Sequence, residues 1–160
     1  MKAALIVNPL SGKYKRNIIS KFAVKLEKIG VVAIEYELEN EQPVGEIISK
    51  LDPGVTPMII LAAGDGMINS AINALARRSD YGEFSIAIVP VGTANVLSIE
   101  LGVDSIRKSL EAIEAGRTKK LHIGKITAAS KGKDSSSYFS LMASAGLDSQ
   151  AVRNVDEKLK

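Results

Sequence analysis

The stretch MIILAAGDGMINSAINAL, residues 58–75, places an apolar run, a glycine-containing loop and an amphipathic segment in immediate succession. Its first residues, Met58–Leu61, are all large and apolar, which predicts a buried strand. The segment after the loop carries one apolar stripe at helical spacing, made up of Ile68, Ala71, Ile72 and Leu75. A strand that leads through a short loop into a helix is the unit from which parallel sheets are built.

The same alternation runs through the rest of residues 1–116. Further strands are predicted at Ala3–Val7, Val31–Tyr36 and Ser85–Val89. Further helices are predicted from apolar spacing at 18–29, 44–51 and 105–115, the last with Asp104 as its N-cap. This order predicts an α/β fold, a mostly parallel sheet with helices on both faces. Such sheets bind ligands at the carboxyl ends of their strands, so the loops that follow strands form the candidate site.

The pattern changes after Gly116. Two strands are predicted at Leu121–Ala129 and Tyr138–Ala143, joined by a polar loop at Ser130–Ser137, and they predict an antiparallel hairpin. A lone hairpin cannot bury a core. We therefore expect one domain over residues 1–120 and the beginning of a second, β-rich domain over 121–160, cut off before it is complete.

Composition narrows the classes of function. Cysteine is absent, which excludes disulfides and cysteine-based metal or redox sites and fits a reducing cytoplasm. No apolar stretch approaches the roughly 20 residues of a membrane-spanning helix, so we expect no transmembrane segment and only peripheral membrane contact. The net charge is a mild +3, without interleaved basic and aromatic residues, and does not favour nucleic-acid binding.

The first candidate loop is Asn8–Lys13 (NPLSGK), between the first predicted strand and helix. A helix N-terminus offers unpaired backbone N–H groups and a partial positive charge, which suit a phosphate. Ser11 adds a hydroxyl, and Gly12 lets a ligand come close to the backbone. We interpret Asn8, Ser11 and Gly12 as nucleotide-binding candidates. The alternative is an ordinary turn in which Ser11 caps the helix.

The second candidate loop is Ala62–Met67 (AAGDGM), in which Gly64 and Gly66 flank Asp65. The glycines permit close approach of a ligand, so both are candidates for cofactor binding. The carboxylate of Asp65 can bind Mg²⁺ through water, accept a proton, or hold a hydroxyl of ribose or substrate, and we take it as the catalytic candidate. The structural alternative is that Asp65 only caps the helix that follows.

The third candidate loop is Pro90–Ser98 (PVGTANVLS), directly after the fourth predicted strand. Gly92 and Thr93 are expected to form a tight turn, and Asn95 is placed to hydrogen-bond from a helix start. A hydroxyl and an amide in this position suit phosphate or ribose recognition. We interpret Gly92, Thr93 and Asn95 as cofactor-binding candidates, against the alternative of a capped turn without a ligand.

Taken in order, NPLSG, GDGMINSAIN and PVGTANVLS resemble the diacylglycerol kinase catalytic domain family, which includes bacterial lipid kinases, sphingosine kinases and ceramide kinases. The segment LHIGKI, residues 121–126, resembles the start of that family's second domain. Gly146-Leu147-Asp148 resembles a Gly-x-Asp motif early in that domain. The resemblance covers nearly the whole chain.

The resemblance implies a phosphofructokinase-like nucleotide-binding domain, a β-sandwich lipid-binding domain and an active site in the cleft between them. It implies ATP and Mg²⁺ as cofactors and a lipid hydroxyl at the membrane surface as acceptor. Asp65 would orient Mg²⁺-bound water or the acceptor, and Asp148 would contact the lipid head group. The same reading implies a cytoplasmic protein that is peripheral to the membrane, is compatible with a homodimer, and is inactive as residues 1–160 alone.

The chain departs from the family pattern at four positions. The family's Gly-Gly-Asp-Gly-Thr loop has Ala63 and Met67 in place of its first Gly and its Thr. Ser70 stands where the family often has Glu, and His122 where it usually has Asp. These departures favour one alternative, a non-catalytic nucleotide- or lipid-binding module of the same fold. A second alternative is an NAD kinase-like enzyme, which shares a GGDGT-type loop but lacks a matching Pro-x-Gly-Thr-x-Asn segment.

Overall fold

A computed structural model describes residues 1–39, 43–130 and 133–143. Its main sheet has the order β2-β1-β3-β4, and all neighbouring strands are parallel. The strands are β1 (Lys2–Val7), β2 (Val32–Glu37), β3 (Met58–Ala63) and β4 (Ser85–Pro90). The predicted α/β fold is confirmed, and each strand lies close to its expected position.

The helices cover both faces of this sheet. They are α1 (Arg16–Lys28), α2 (Val44–Ser49), α3 (Asp65–Leu75), α4 (Val96–Glu100) and α5 (Ile106–Glu114), with a short 3₁₀ turn at Tyr81–Glu83. α1 and α5 pack on one face, and α2 and α3 pack on the other. In the described part of the chain, no helix combines the length and the apolar character needed to cross a membrane.

Two apolar layers hold the helices to the sheet. Along β1, Ala4 and Ile6 face α2 and α3, whereas Leu5 and Val7 face α1, and all four are fully buried. Phe22 of α1 is 1% exposed and packs in the second of these layers. Because β1 and β3 are covered on both faces, their sequences read as continuous apolar runs rather than as alternating patterns.

The antiparallel hairpin is present, but its predicted strand limits are wrong. The strands are β5 (Gly124–Ser130) and β6 (Lys133–Phe139), so most of the segment expected to be a polar loop is a strand. A two-stranded ribbon is held together by hydrogen bonds between backbone groups. Serines form these bonds as well as apolar residues do, because side chains take no part in them. The hydroxyls of Thr127 and Ser136 lie 3.1 Å apart across the strands.

One end of the hairpin is fixed by a glycine beneath an aromatic ring. Gly124 pairs with Phe139, and a Cβ at Gly124 would lie 2.3 Å from the Phe139 ring. The ring therefore occupies the space of the missing side chain, and the cross-strand contact sets the register at this end.

The N-cap of α5 is Ser105 and not Asp104 as predicted. The Ser105 hydroxyl accepts a hydrogen bond of 3.3 Å from the backbone N–H of Lys108. The carboxylate of Asp104 instead binds the Lys108 ammonium at 2.7 Å, and this hydrogen bond lowers the pKa of Asp104. Both residue types cap helices well, so the sequence alone did not distinguish two adjacent candidates.

The guanidinium group of Arg78 donates hydrogen bonds to carbonyl oxygens at the carboxyl end of α2. Arg78 follows α3 and donates to the carbonyl oxygens of Ile48 at 2.6 Å and Leu51 at 2.9 Å. Asp80 pairs with the same guanidinium at 2.7 Å, and the Phe84 ring centroid lies 5.0 Å from its central carbon. The last carbonyl oxygens of a helix have no hydrogen-bond donor within the helix. Arg78 supplies such a donor at the end of α2 and, because it follows α3 in the chain, connects the two helices.

We predict that Arg78→Ala lowers the free energy of unfolding by about 2 kcal/mol, because it leaves two carbonyl oxygens and one carboxylate without their charged donor. Urea denaturation measures the change. The control is Arg107→Ala: Arg107 is exposed and pairs with Glu111 one helical turn away, and such pairs contribute at most ~0.5 kcal/mol. Equal losses in the two variants would contradict the structural role of Arg78.

We also predict that the ion pair between Arg78 and Asp80 affects the stability of the fold at acidic pH. The Arg78 guanidinium lowers the pKa of Asp80 below its ordinary value of 3.8. A carboxyl whose folded pKa is lowered stabilises the fold above its unfolded pKa, and this contribution is lost as the pH falls through the folded pKa. The stability of the wild type should therefore decrease below about pH 4 more steeply than that of Arg78→Ala. Parallel acid-unfolding curves would contradict this.

Candidate functional site

The three candidate loops meet at one edge of the sheet. They leave the carboxyl ends of β1, β3 and β4, which are neighbours in the strand order. The backbone N–H of Asn8 donates to the carbonyl of Ala62 at 3.1 Å, which joins the first loop to the second. The N–H of Lys13 donates to the carbonyl of Val91 at 2.8 Å, which joins the first loop to the third. The convergence that the strand order predicts is present.

The second and third loops touch backbone to backbone at two glycines. A Cβ placed on Gly92 would lie 2.3 Å from the Cα of Gly64, a distance that no real side chain tolerates. A Cβ on Gly64 would lie 3.2 Å from the Cα of Gly92. Gly92 is therefore required by the crossing of the loops, whether or not a ligand is bound, and Gly64 is in tight contact with it.

The first loop packs against the third at Gly12. A Cβ at this position would lie 2.9 Å from the hydroxyl oxygen of Thr93. Gly12 is itself exposed, so its backbone faces solvent on one side and the Thr93 side chain on the other. The predicted pair of phosphate-binding positions, Gly12 and Thr93, are thus immediate neighbours in space.

The Asp65 carboxylate caps a helix, but not the helix that it begins. Its two oxygens accept hydrogen bonds from the backbone N–H groups of Val96 at 3.0 Å and Leu97 at 3.1 Å. These N–H groups belong to the first turn of α4, whereas the N-cap of α3 is Gly64. The structural alternative considered for Asp65 named the wrong helix, because sequence proximity favoured α3 over a contact formed only by folding.

The Asn95 side chain forms hydrogen bonds within the third loop and holds its conformation. Asn95 is 6% exposed and has a left-handed backbone, with φ of 55°. Its amide oxygen accepts from the N–H of Gly92 at 2.8 Å, and its amide nitrogen donates to the Gly92 carbonyl at 2.8 Å. Asparagine tolerates this conformation better than most residues. Both polar atoms of the Asn95 side chain thus bind the loop itself.

The first loop does not lead directly into a helix N-terminus. α1 begins at Arg16, and Ser11 belongs to a turn in which its N–H donates to the Asn8 carbonyl at 3.1 Å. The Asn8 side chain accepts from the N–H of Leu10 at 2.9 Å, an Asx turn that holds the loop in place. The first loop is therefore separated from the start of α1, and the alternative that Ser11 caps this helix is wrong, whereas phosphate binding by this loop remains a prediction.

The Ser11 hydroxyl is the buried polar group of the first loop that the described residues leave without a partner. Its side-chain oxygen is buried and has no hydrogen-bond partner among them. Buried hydroxyl groups are normally paired, which sets Ser11 apart from the other polar groups of the loop.

Gly66 differs from the other glycines of the site. It lies in the first turn of α3, is exposed, and a Cβ built on it would meet nothing within 4 Å. Its neighbour Met67 is partly buried against the core, and Ala63 is fully buried at the end of β3. The folded chain therefore gives no internal reason for a glycine at position 66.

An open cleft of about 610 Å³ adjoins the first loop and the end of the second loop at Met67. Its walls come from the first loop, the segment after β2, the start of α2, one face of α3 and the hairpin. The residues that line it are Asn8, Leu10, Leu38, Glu39, Pro43, Val44, Gly45, Met67, Asn69, Ser70, Asn73, Arg77 and Ser137. Concave sites of this size and mixed polarity are typical of small-molecule binding.

Sequence reasoning missed one wall of this cleft. Leu38 and Glu39 follow β2 at the same carboxyl edge as the three loops. The rule that places ligands at the carboxyl ends of strands applies to β2 as well, but no glycine or unusual motif marks its loop. Arg77 was also missed, because a charged residue near a helix end is usually only a solvated one.

Two predicted positions lie elsewhere. Asp148 is outside the described residues, so its predicted contact with a head group remains a prediction. His122 is exposed in the segment before β5 and lies in no strand or helix. Among the described residues, no group of three or more His, Cys, Asp or Glu side chains is arranged to hold a metal ion.

Comparison with known proteins identifies relatives for this site. The family model of the diacylglycerol kinase catalytic domain matches residues 2–126. A diacylglycerol kinase of Staphylococcus saprophyticus is 30% identical over 99% of this chain and 50% of its own length. Sphingosine kinase B of Dictyostelium discoideum is 29% identical over 76% of this chain and 17% of its own length.

The fold has a solved counterpart. The crystal structure of a diacylglycerol kinase from Bacillus anthracis superposes on 83% of this chain and 47% of its own chain, with a TM-score of 0.62 and 23% identity. The chain thus spans about half the length of the bacterial relatives it matches.

We predict that Gly92→Ala destabilises the fold by about 1–3 kcal/mol, since the new methyl group forces the second and third loops apart. Thermal and urea unfolding measure the loss. The control is Gly82→Ala, where a Cβ meets nothing within 4 Å and the backbone is not left-handed. If both variants unfold alike, the contact between the two loops does not constrain the fold.

Proposed function

The chain belongs to the diacylglycerol kinase catalytic domain family, and on that premise we propose that it is the nucleotide-binding portion of an enzyme that transfers a phosphoryl group from ATP to a lipid hydroxyl. The observation that carries the proposal is the convergence of three glycine-containing loops at the carboxyl edge of the sheet, where the first loop and Met67 also line a cleft. Diacylglycerol-like and sphingosine-like alcohols are the acceptor classes, since relatives named for both match this chain.

The nucleotide phosphates would lie against the first and third loops. Gly12 and Thr93 are neighbours there, and the unpaired Ser11 hydroxyl offers a hydrogen bond to a phosphate oxygen. The nucleoside would extend into the cleft along Asn8, where Glu39 and Ser70 provide polar groups. Gly64, Gly92 and Asn95 would act indirectly, because their contacts form the loop crossing that holds these groups in place.

Mg²⁺ would be bound chiefly through the nucleotide. The described residues place only the Asp65 carboxylate beside the loop crossing, and both of its oxygens already accept backbone hydrogen bonds. A carboxylate has about four acceptor positions, so Asp65 can still accept from a metal-bound water or a substrate hydroxyl. Mg²⁺ commonly keeps several waters and binds through phosphates and one or two carboxylates, a mode that these residues fit.

Catalysis in this arrangement would be mainly positioning and neutralisation of charge, as in phosphoryl transfer generally. Asp65 would orient the acceptor hydroxyl or receive its proton. Asp148 would hold the lipid head group from the second domain. Because the acceptor is a lipid, the reaction would occur with the protein peripheral to a membrane.

The sharpest test of the nucleotide site is Gly66→Ala. A methyl group there meets no other part of the chain, and alanine in a helix is favoured over glycine by ~0.5–1 kcal/mol, so we expect the melting temperature to stay or rise. If a phosphate approaches this backbone, the stabilisation by ATP and Mg²⁺ should decrease. That stabilisation equals RT ln(1 + [L]/Kd), so thermal shift against ATP concentration measures it.

Gly82→Ala serves as the control for Gly66→Ala, because it adds the same methyl group without neighbours and away from the loops. It should leave the nucleotide-dependent shift unchanged. Equal shifts in the wild type, Gly66→Ala and Gly82→Ala would remove Gly66 from the binding site. If none of them responds to millimolar ATP with Mg²⁺, the proposed function fails.

The test of chemistry is Asp65→Asn. In a protein that also carries the complete second domain, we expect turnover of vesicle-borne diacylglycerol or sphingosine to fall by ~10²–10⁴-fold if the carboxylate assists proton transfer. Asparagine keeps one acceptor oxygen of the two that bind Val96 and Leu97, so we also expect a loss of stability of about 1 kcal/mol. Measuring rate and melting temperature on one sample separates the two effects.

Asp104→Asn is the matched control, because it removes a carboxylate from an exposed ion pair away from the loops. Near-normal turnover by Asp65→Asn would exclude the carboxylate from catalysis and favour the alternative of a non-catalytic nucleotide-binding module. The observations that favour that alternative are Ala63, Met67 and His122, which stand where the family pattern has Gly, Thr and Asp.

A further inference from the structure

The side-chain amide of Asn73 pairs with the backbone of the hairpin. Its oxygen accepts a hydrogen bond from the N–H of Tyr138 at 2.7 Å, and its nitrogen donates to the Tyr138 carbonyl at 2.7 Å. Asn73 lies on α3 and is separated from Tyr138 by 65 residues along the chain. An amide side chain here takes the place that a neighbouring strand would occupy beside β6.

The remaining hydrogen-bonding capacity of Asn73 is also used. Its nitrogen donates to the Asn69 carbonyl at 2.9 Å, and its oxygen accepts from the Ser137 hydroxyl at 3.2 Å. An asparagine side chain has two donor hydrogens and two acceptor lone pairs, so all four positions are filled. With 9% of its surface exposed, Asn73 cannot replace these partners with water at little cost.

The position of Tyr138 explains why the contact is specific. Tyr138 pairs with Lys125 across the hairpin, yet its own N–H and carbonyl bind Asn73. In antiparallel ladders, residues of alternate pairs direct these groups away from the partner strand. The outer edge of β6 is therefore satisfied at this residue by α3. Just after α3, the Arg77 guanidinium adds a weaker bond of 3.4 Å to the Ser136 carbonyl.

We propose that Asn73 is a positioning residue that fixes the hairpin against α3 and thereby sets the wall of the cleft opposite the first loop. Asn73, Arg77 and Ser137 all line this cleft. The same helix begins at Asp65, whose carboxylate holds α4 and the third loop. α3 thus connects the loop crossing at one end with the hairpin two turns later. The effect on turnover rests on the proposed function, whereas the contact itself does not.

An ordinary core asparagine would have a different pattern of contacts. It would be satisfied within its own helix and layer, and its loss would weaken the whole fold. Asn73 has only one bond of that kind, to the Asn69 carbonyl, and three bonds to the hairpin. Its replacement should therefore release the hairpin while the main sheet stays protected.

Hydrogen exchange of the 160-residue chain tests this. In Asn73→Ala we expect the amide of Tyr138 and its neighbours in β6 to exchange at least about tenfold faster, since losing a net ~1.4 kcal/mol of protection corresponds to a factor of ten. Amides of β1 and β3 should keep their wild-type rates. Asn17→Ala, the same substitution on the exposed face of α1, should change neither region.

Asn73→Asp keeps the shape of the side chain and the acceptor for the Tyr138 N–H, but places a carboxylate oxygen against the Tyr138 carbonyl oxygen. It should reproduce the localised loss, and it provides a second variant if Asn73→Ala does not fold. Unchanged exchange in β6, or faster exchange spread equally over β1, β3 and β6, would overturn the positioning role.

Steady-state kinetics on vesicle-borne diacylglycerol, measured on a protein that also carries the complete second domain, add a readout that a purely structural role would not give. We expect Asn73→Ala to lower kcat while the KM for ATP stays within about twofold, because the phosphate-binding loops are not displaced. An increase in the KM for ATP without a change in kcat would contradict the inference. Localised exchange in a protein that shows no lipid turnover at all would leave the Asn73 contact established and would count against the proposed function instead.

Discussion

The contact between Gly64 and Gly92 is the constraint on which the candidate site depends. It brings the ends of β3 and β4 so close that Gly92 has no space for a methyl group. Once the two loops cross, the Asp65 carboxylate reaches the first turn of α4, and the Asn95 side chain hydrogen-bonds to Gly92 within the third loop. The arrangement of Asp65 and Asn95 therefore depends on a packing requirement between two backbones.

α3 extends this constraint across the molecule. Its first residue holds α4, and Asn73 holds the hairpin from the same helix. A single helix is stiff over such a length, because every residue in it is fixed by backbone bonds to the adjacent turns. The loop crossing and the hairpin are consequently connected by one rigid element through direct hydrogen bonds of Asp65 and Asn73.

The strands of the main sheet and the positions of the candidate loops could be predicted from the sequence, because both depend on the local pattern of apolar residues and glycines. Continuous apolar runs identify β1 and β3, and glycines beside polar residues identify the loops at their ends. Contacts between distant parts of the chain could not be predicted from the sequence: Asp65 caps α4, and Arg78 hydrogen-bonds to the carboxyl end of α2. The separation of about one turn between Ser11 and the start of α1 was not predicted either. Most of strand β6 was predicted to be a loop, because a run of serines is typical of loops.

The departures from the family's Gly-Gly-Asp-Gly-Thr loop fall where the fold tolerates side chains. Ala63 ends β3 within the core, where its small side chain is fully buried, and Met67 packs partly against the same core beside the cleft. Gly64 stands at the loop crossing, where a Cβ would lie 3.2 Å from the Cα of Gly92. At Gly66 a Cβ would meet no described atom within 4 Å, so the packing of the described residues does not require a glycine there. The two glycines around Asp65 thus differ: Gly64 lies in the contact between the loops, whereas Gly66 does not.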